Sequence, residues 1–482
     1  MHVKQLALSG LLGLSLCCSF SHGIPPPSLK RSNSLSTPPQ TSKITLFGES
    51  VLVPSGGAAS TGTGTGTGTA SQSSEVFNLV KNIVGAGVLA LPAGIAAFGD
   101  HPSAILPATI LTVFIGLLSG YSFSMIGRVC ALTGARTFRE AWELSVGKST
   151  SVIPAAVTTS KTAVATIAYS MILADTLRAL LSTGGYNLSR QSTLLGLTGG
   201  ILLPLCLLKD LAALAPFSLL GIAGMVYTTA AMAFRYLGGA YKAPAGKFLA
   251  SIPKDFAPKF GVAGATAALS PASSILLCML STAYLAHYNA PKYYVELKDN
   301  TIKRYNQVVM AGFATSMAFF SIVGAVGFAT FGKASQGLIL NNYANTDAVM
   351  GFSRIAVFVS IVFSYPLAFV GLRDGVLDLA KTNPATRTNK LLNLTTGGLL
   401  GAITLAALNL SDLSFVLSFG GATLGNAIIF VFPALMFRAA VKKAGRKDLE
   451  NEVLFANGIA GLGVGMGIIG AKMALAGVSG GH

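Results

Sequence analysis

The chain has 482 residues, of which 52% are hydrophobic and 11% charged, with a mean hydropathy of +0.63 and a formal charge of +17. Soluble domains carry about a quarter charged residues, so this composition excludes a soluble enzyme or nucleic-acid-binding domain and specifies a polytopic protein of the lipid bilayer. The basic excess falls mainly in short loops between apolar runs, where it sets topology rather than a nucleic-acid patch.

Residues 1–23 have a basic start, a short apolar core and Cys17-Cys18-Ser19 as a cleavage tripeptide, which reads as a signal-like targeting segment. Residues 24–74 are rich in Ser and Pro, carry Lys30, Arg31 and Lys43, and include the flexible run TGTGTGTGT at 61–69. Such composition is transit-like. Together the two segments match a bipartite plastid presequence, giving a plastid membrane; if they are an uncleaved tail, an endomembrane or plasma membrane is expected.

Eleven apolar segments of spanning length follow, at 76–98, 103–126, 151–182, 192–208, 211–237, 269–290, 305–331, 348–371, 391–409, 413–437 and 454–476. They divide the chain into residues 75–240 with five spans, an outer loop at 241–268, residues 269–440 with five more, and a last span within 453–478. With the start of the first span inside, the inner loops hold eighteen basic residues against six outside. The sequons at Asn187 and Asn409 then fall outside. Cys130, Cys206 and Cys278 stand singly, without metal or disulfide spacing.

Two spans depart from a plain anchor. The first, VFNLVKNIVGAGVLALPAGIAAF, carries Asn78, Lys81, Asn82, Gly85, Gly87 and Pro92. An interrupted helix of this kind presents bare backbone to a ligand at the midplane; the alternative is glycines that serve close helix packing. The sixth, SPASSILLCMLSTAYLAHYNAPKYYVELKD, gathers Ser281, Thr282, Tyr284, His287, Tyr288 and Asn289 before Pro291, which is expected to end it. Its hydroxyls could instead bond back to their own helix, with the His-Tyr-Asn cluster marking the interface. The two irregular spans head two five-span halves, a pointer to inverted repeats with a site between them. Of the five histidines none forms an HExxH pattern, and no GxSxG or Walker loop occurs, so no enzymatic activity and no organic cofactor are expected.

FNLVKNIVGAGVLALPAG resembles the first-helix signature of the amino acid/auxin permease family, and LTGARTFREAW (132–142), IAYSMILADTL (167–177), LPLCLLKDLAALAPFS (203–218), AYLAHYNAPKYYVELKD (283–299), VGFATFG (326–332) and SYPLAFVGLRDG (364–375) follow in order. Several of these are most similar to the vesicular and sodium-coupled neutral branch. The resemblance implies an all-α, LeuT-type fold of 5+5 inverted repeats plus an eleventh helix, and secondary active transport of an amino acid coupled to Na+ or H+. It implies no obligate protein partner. A non-transporting sensor with the same fold is the rival, disfavoured by a tail that lacks docking helices.

Unwinding at Val84-Gly85-Ala86-Gly87 would free amides for the substrate carboxylate, where the family pattern also puts it. Carbonyls and hydroxyls of Ser281, Thr282 and Tyr284 through Ala286 would take the ammonium, and His287 matches the histidine of the family's F-x-x-H pattern. Tyr169 matches a substrate-facing position of the third span. For a coupling cation, the resemblance points to Ser360 and Ser364 at i and i+4 on the eighth span, completed by Asn82. Asp175 and Arg178 are expected to pair on one helix surface. No acidic residue lies plainly at the midplane of the first, sixth or eighth span, so a neutral substrate is expected.

Overall fold

The computed structural model describes residues 68–208, 217–383 and 386–479; the targeting-like segment, most of the linker and the junction at Lys209 and Asp210 lie outside them. Among the described residues the structure is helical apart from two isolated bridges, Ala70 with Leu297 and Lys259 with Gly332. In chain order the helices are α1 (Gln72–Ile83), α2 (Leu91–Ala96), α3 (Ile105–Thr133), α4 (Phe138–Ser145), α5 (Val152–Thr183), α6 (Arg190–Leu197), α7 (Leu203–Cys206) and α8 (Phe217–Leu237). After the outer loop come α9 (Ser273–Ala283), α10 (Ala290–Glu296), α11 (Ile302–Phe331), α12 (Ala348–Leu379), α13 (Asn389–Asn409), α14 (Leu413–Gly420), α15 (Phe432–Lys443) and α16 (Glu450–Ser479). Among the described residues, seven helices are long and apolar enough to cross a bilayer, or eight when α1 and α2 are taken as one bent span.

Local chemistry accounts for the helix starts. Ser71, Thr301 and Thr388 cap α1, α11 and α13 by accepting from the amides of Ser74, Arg304 and Leu391. Pro291 does not end the sixth span as expected; it sits in the first turn of α10, where a missing N–H is harmless, and the break lies before it at Tyr284–Ala286. Asp175 also differs from expectation. It pairs with Arg190 of α6 at 3.0 Å, while Arg178 is exposed, because the longer reach between helices buries the carboxylate better than a same-helix partner.

The most extensive packing falls into two sets. One comprises α1 with α2, α3, α9 with α10, and α11; the other comprises α5, α6, α8, α12 and α13. Within the first set α2 lies along α11, where Gly324 faces Leu91 and Ile95, and Gly327 faces Pro92. Gly116, Gly120 and Gly127 of α3 admit Met317, Phe313 and Tyr305 of α11 in turn. α14, α15 and α16 pack against α9 and α3 from the side. Lipid contact leaves the outer surface apolar, with Leu106, Ile110, Phe352 and Leu394 exposed.

Two glycines test this packing. A Cβ on Gly421 would lie 1.8 Å from the Cys278 carbonyl oxygen, whereas one on Gly401 of α13 meets nothing within 4 Å. Gly421→Ala is therefore expected to lower the unfolding temperature of the purified chain sharply. Gly401→Ala should leave it unchanged or raise it, since alanine is favoured over glycine in a helix by about 1 kcal/mol.

Candidate transport site at two broken helices

The first break follows from the run Val84-Gly85. Val84 leaves the helix at φ −81°, ψ 85°, Gly85 is extended at φ −119°, ψ −172°, and a 3-10 turn over Ala86–Ala90 leads into α2. The two helical halves meet at 43°. The first amides of such a turn have no acceptor within it and point out of its start. Val84 and Ala86 are buried, while Gly85 and Gly87 are half-exposed, and a Cβ on either glycine meets nothing within 4 Å. That decides between the two readings of these glycines: no helix packs on them, and they border open space. By contrast Gly94, two turns on, is pressed against Leu276 and Met279 of α9.

The 3-10 turn touches α9, α11, α14 and the turn Ile339–Asn342. Opposite it, α9 stops at Ala283, and a 3-10 turn over His287–Asn289 leads into α10. Tyr169 of α5 is half-buried and lies within electrostatic range of Tyr288, so the third span does reach the sixth-span break. Behind the break, π-helical turns over Gly421–Gly425 and Ala427–Val431 flank Asn426, whose buried Oδ1 has no partner. Such π turns often mark functional regions because they leave carbonyls unpaired.

Several expected ligands are otherwise engaged. The Ser281 hydroxyl donates to Leu277 O at 3.1 Å within its own helix, and Thr282 Oγ1 donates to Leu417 O at 2.8 Å. Tyr284 is fully buried, donates to Thr112 O of α3 at 3.1 Å and packs against Phe313 and Phe320. His287 is likewise fully buried, with Nε2 2.9 Å from Ser122 Oγ and 3.0 Å from Ser119 O. Tyr284 and His287 are thus both engaged with α3. They are packing residues. His287→Ala should cost about 1–3 kcal/mol by orphaning the α3 partners, measured as a lower unfolding temperature.

Of the expected cation ligands, Asn82 and Ser360 meet neighbours on α10 and α8. Asn82 lies against Tyr293 of α10, whose hydroxyl donates to Asn78 O at 3.1 Å, and its buried unpartnered atom is the amide Nδ2, a donor. Ser360 Oγ abuts Gly221 of α8, 2.6 Å from where its Cβ would be, and Ser364 shares that face by its i+4 spacing.

The broken first helix, which borders open space at Gly85 and Gly87, is packed against a second broken helix. The description "Transmembrane amino acid transporter protein" matches residues 68–470. The chain belongs to the transmembrane amino acid transporter protein family. This transporter is similar to a Danio rerio protein provisionally named sodium-coupled neutral amino acid transporter 11, at 26% identity over 84% of this chain and 86% of the relative. It is similar to amino acid transporter AVT6E of Arabidopsis thaliana, at 24% identity over 75% and 74%, and to vacuolar amino acid transporter 2 of Saccharomyces cerevisiae, at 23% over 63% and 61%. Among solved structures, the inward-facing conformation of Mhp1 superimposes with a TM-score of 0.52 at 12% identity, covering 85% of this chain and 89% of that one. The transporter therefore has the LeuT-type fold.

Polar groups inside the bundle that composition did not single out are Lys161 and Asn426, both buried. A lone lysine among hydroxyl residues, TSKTAV, within a helix of spanning length was the available signal for the first.

Proposed function

We propose that this member of an amino acid transporter family is an ion-coupled carrier of neutral amino acids, working by alternating access. The Gly85 amide donates to Ile83 O at 3.0 Å, so the substrate carboxylate is received by the amides of Ala86 and Gly87, at the positive start of the 3-10 turn, and its ammonium by backbone carbonyls freed at Tyr284–Ala286. Tyr169, at the second break, lines the space between. The observation that carries this reading is the open space beside Gly85 and Gly87 in an array where most other buried glycines are crowded. The two packing sets supply the bodies that move past one another.

Binding tests it directly. L-Alanine, L-glutamine or L-leucine at about 100 times its dissociation constant should stabilise the purified chain by roughly 2.7 kcal/mol, seen as a raised unfolding temperature. No shift with any of the three, nor with the remaining neutral amino acids, would remove the basis for the site.

A further inference from the structure

Lys161 lies in the tenth position of the 32-residue α5, about 14 Å from its start at 1.5 Å per residue. It is 4% exposed. Its Nζ donates to Thr282 Oγ1 at 3.1 Å, and Thr282 passes its own proton to Leu417 O at 2.8 Å, so the hydroxyl can only accept from the lysine. Gly420 leaves room for the head group, with Nζ 3.6 Å from where a Cβ would stand.

Among the described residues no counter-ion is in reach. None of the ion pairs among the described residues includes Lys161. From α9 the other titratable group is Cys278, whose thiol turns to Met466 O. α14 and the π turns contribute none. On α12, Tyr365 is tied to Ser170 at 3.1 Å, and Arg373 and Asp374 pair with each other. On α4, Arg139 pairs with Glu143 and Glu140 accepts from the Arg136 amide; on α6, Arg190 pairs with Asp175; α13 has only Lys390, in its first turn. A buried, unpaired ammonium is costly, and lysine, unlike arginine, can shed its proton.

The contact also crosses the boundary between the two packing sets, since Lys161 is on α5 and Thr282 on α9. We propose that Lys161 carries the proton that drives transport. Facing one compartment, the amine lone pair takes a proton from water, and the resulting ammonium holds α9 to α5 through a charge-assisted bond to Thr282. Facing the other, the N–H bond breaks, the proton passes to water, the electron pair stays on nitrogen, and the weakened contact lets the sets part. The proposal rests on the transport reading above and supplies its coupling ion.

The test uses the full chain in liposomes with tritiated L-alanine, L-glutamine or L-leucine and pyranine inside. With Na+ absent, an acid-outside gradient is expected to drive accumulation and acidify the lumen in step with uptake. Lys161→Gln should lose that accumulation by about tenfold or more, the scale of a typical coupling free energy, while keeping counterflow exchange at equal pH; Lys161→Arg, whose charge cannot be released, should lose both. Wild-type uptake that needs a Na+ gradient, or that proceeds without acidification, would overturn the proposal even if neither variant folds. So would either variant accumulating on the pH gradient, or Lys161→Gln losing counterflow as well, which would make Lys161 a binding or folding residue. Failure of wild-type counterflow with every amino acid would instead strike the transport reading itself.

Discussion

Gly85→Val and Gly87→Val are each expected to abolish amino acid binding in a chain that still inserts and folds. A Cβ at either position meets no atom within 4 Å, and Gly85 already has the extended backbone that valine favours, so the fold loses little. What changes is the space itself: the branched side chain stands where a carboxylate would approach the amides. Two hydrogen bonds to a charged group are together worth about 3–6 kcal/mol, so affinity should fall by roughly 100-fold or more. Gly94→Val is the contrasting variant. Its Cβ would lie 2.9 Å from Leu276 Cδ1 and 3.3 Å from Leu276 Cα, so it should impair folding rather than binding alone. Unchanged affinity in both Gly85→Val and Gly87→Val would return these glycines to a passive role.

Asp347→Ala should produce the largest loss of stability. The carboxylate is wholly buried, takes Arg235 Nη2 at 2.6 Å and the Tyr241 hydroxyl at 3.0 Å, and caps α12 through the amides of Val349 and Met350. Beside it the buried Arg354 holds the carbonyls of Leu340, Tyr343 and Ala344. Removing one partner leaves Arg235 without its anion and the helix start uncapped, at a cost of about 3–5 kcal/mol. The turn Ile339–Asn342 held by this network touches Ala86–Ala90, so the variant should also weaken substrate binding. Thermal unfolding and binding on the same preparation check both effects; a variant as stable as wild type would mean the pair contributes no more than an exposed one.

The break at Val84-Gly85 was legible in the sequence because it is local: two glycines and a proline in an apolar run mark where a helix stops wherever its neighbours lie. The polar cluster of the sixth span was legible only as a cluster. Which way each side chain points depends on rotation about the helix axis and on the partner it meets, so Tyr284 and His287 turned out to face α3, and Thr282 to hold Lys161. The same limit applies to Ser360, whose hydroxyl meets α8. Pairs such as Arg235 with Asp347, 112 residues apart, leave no periodic trace to read. Lys161 was visible as a charge in an apolar span, but its lack of a counter-ion is a property of the packed bundle alone.

The central claim, that this chain carries amino acids across a bilayer through the space between its two broken helices, is tested most directly by counterflow. Liposomes containing the purified chain and preloaded with unlabelled L-glutamine, L-alanine or L-leucine should take up the tritiated form of the same compound in a saturable manner, and liposomes with Gly87→Val should not. Binding without exchange would mark a sensor on a transporter fold, and exchange that survives Gly87→Val undiminished would contradict the site.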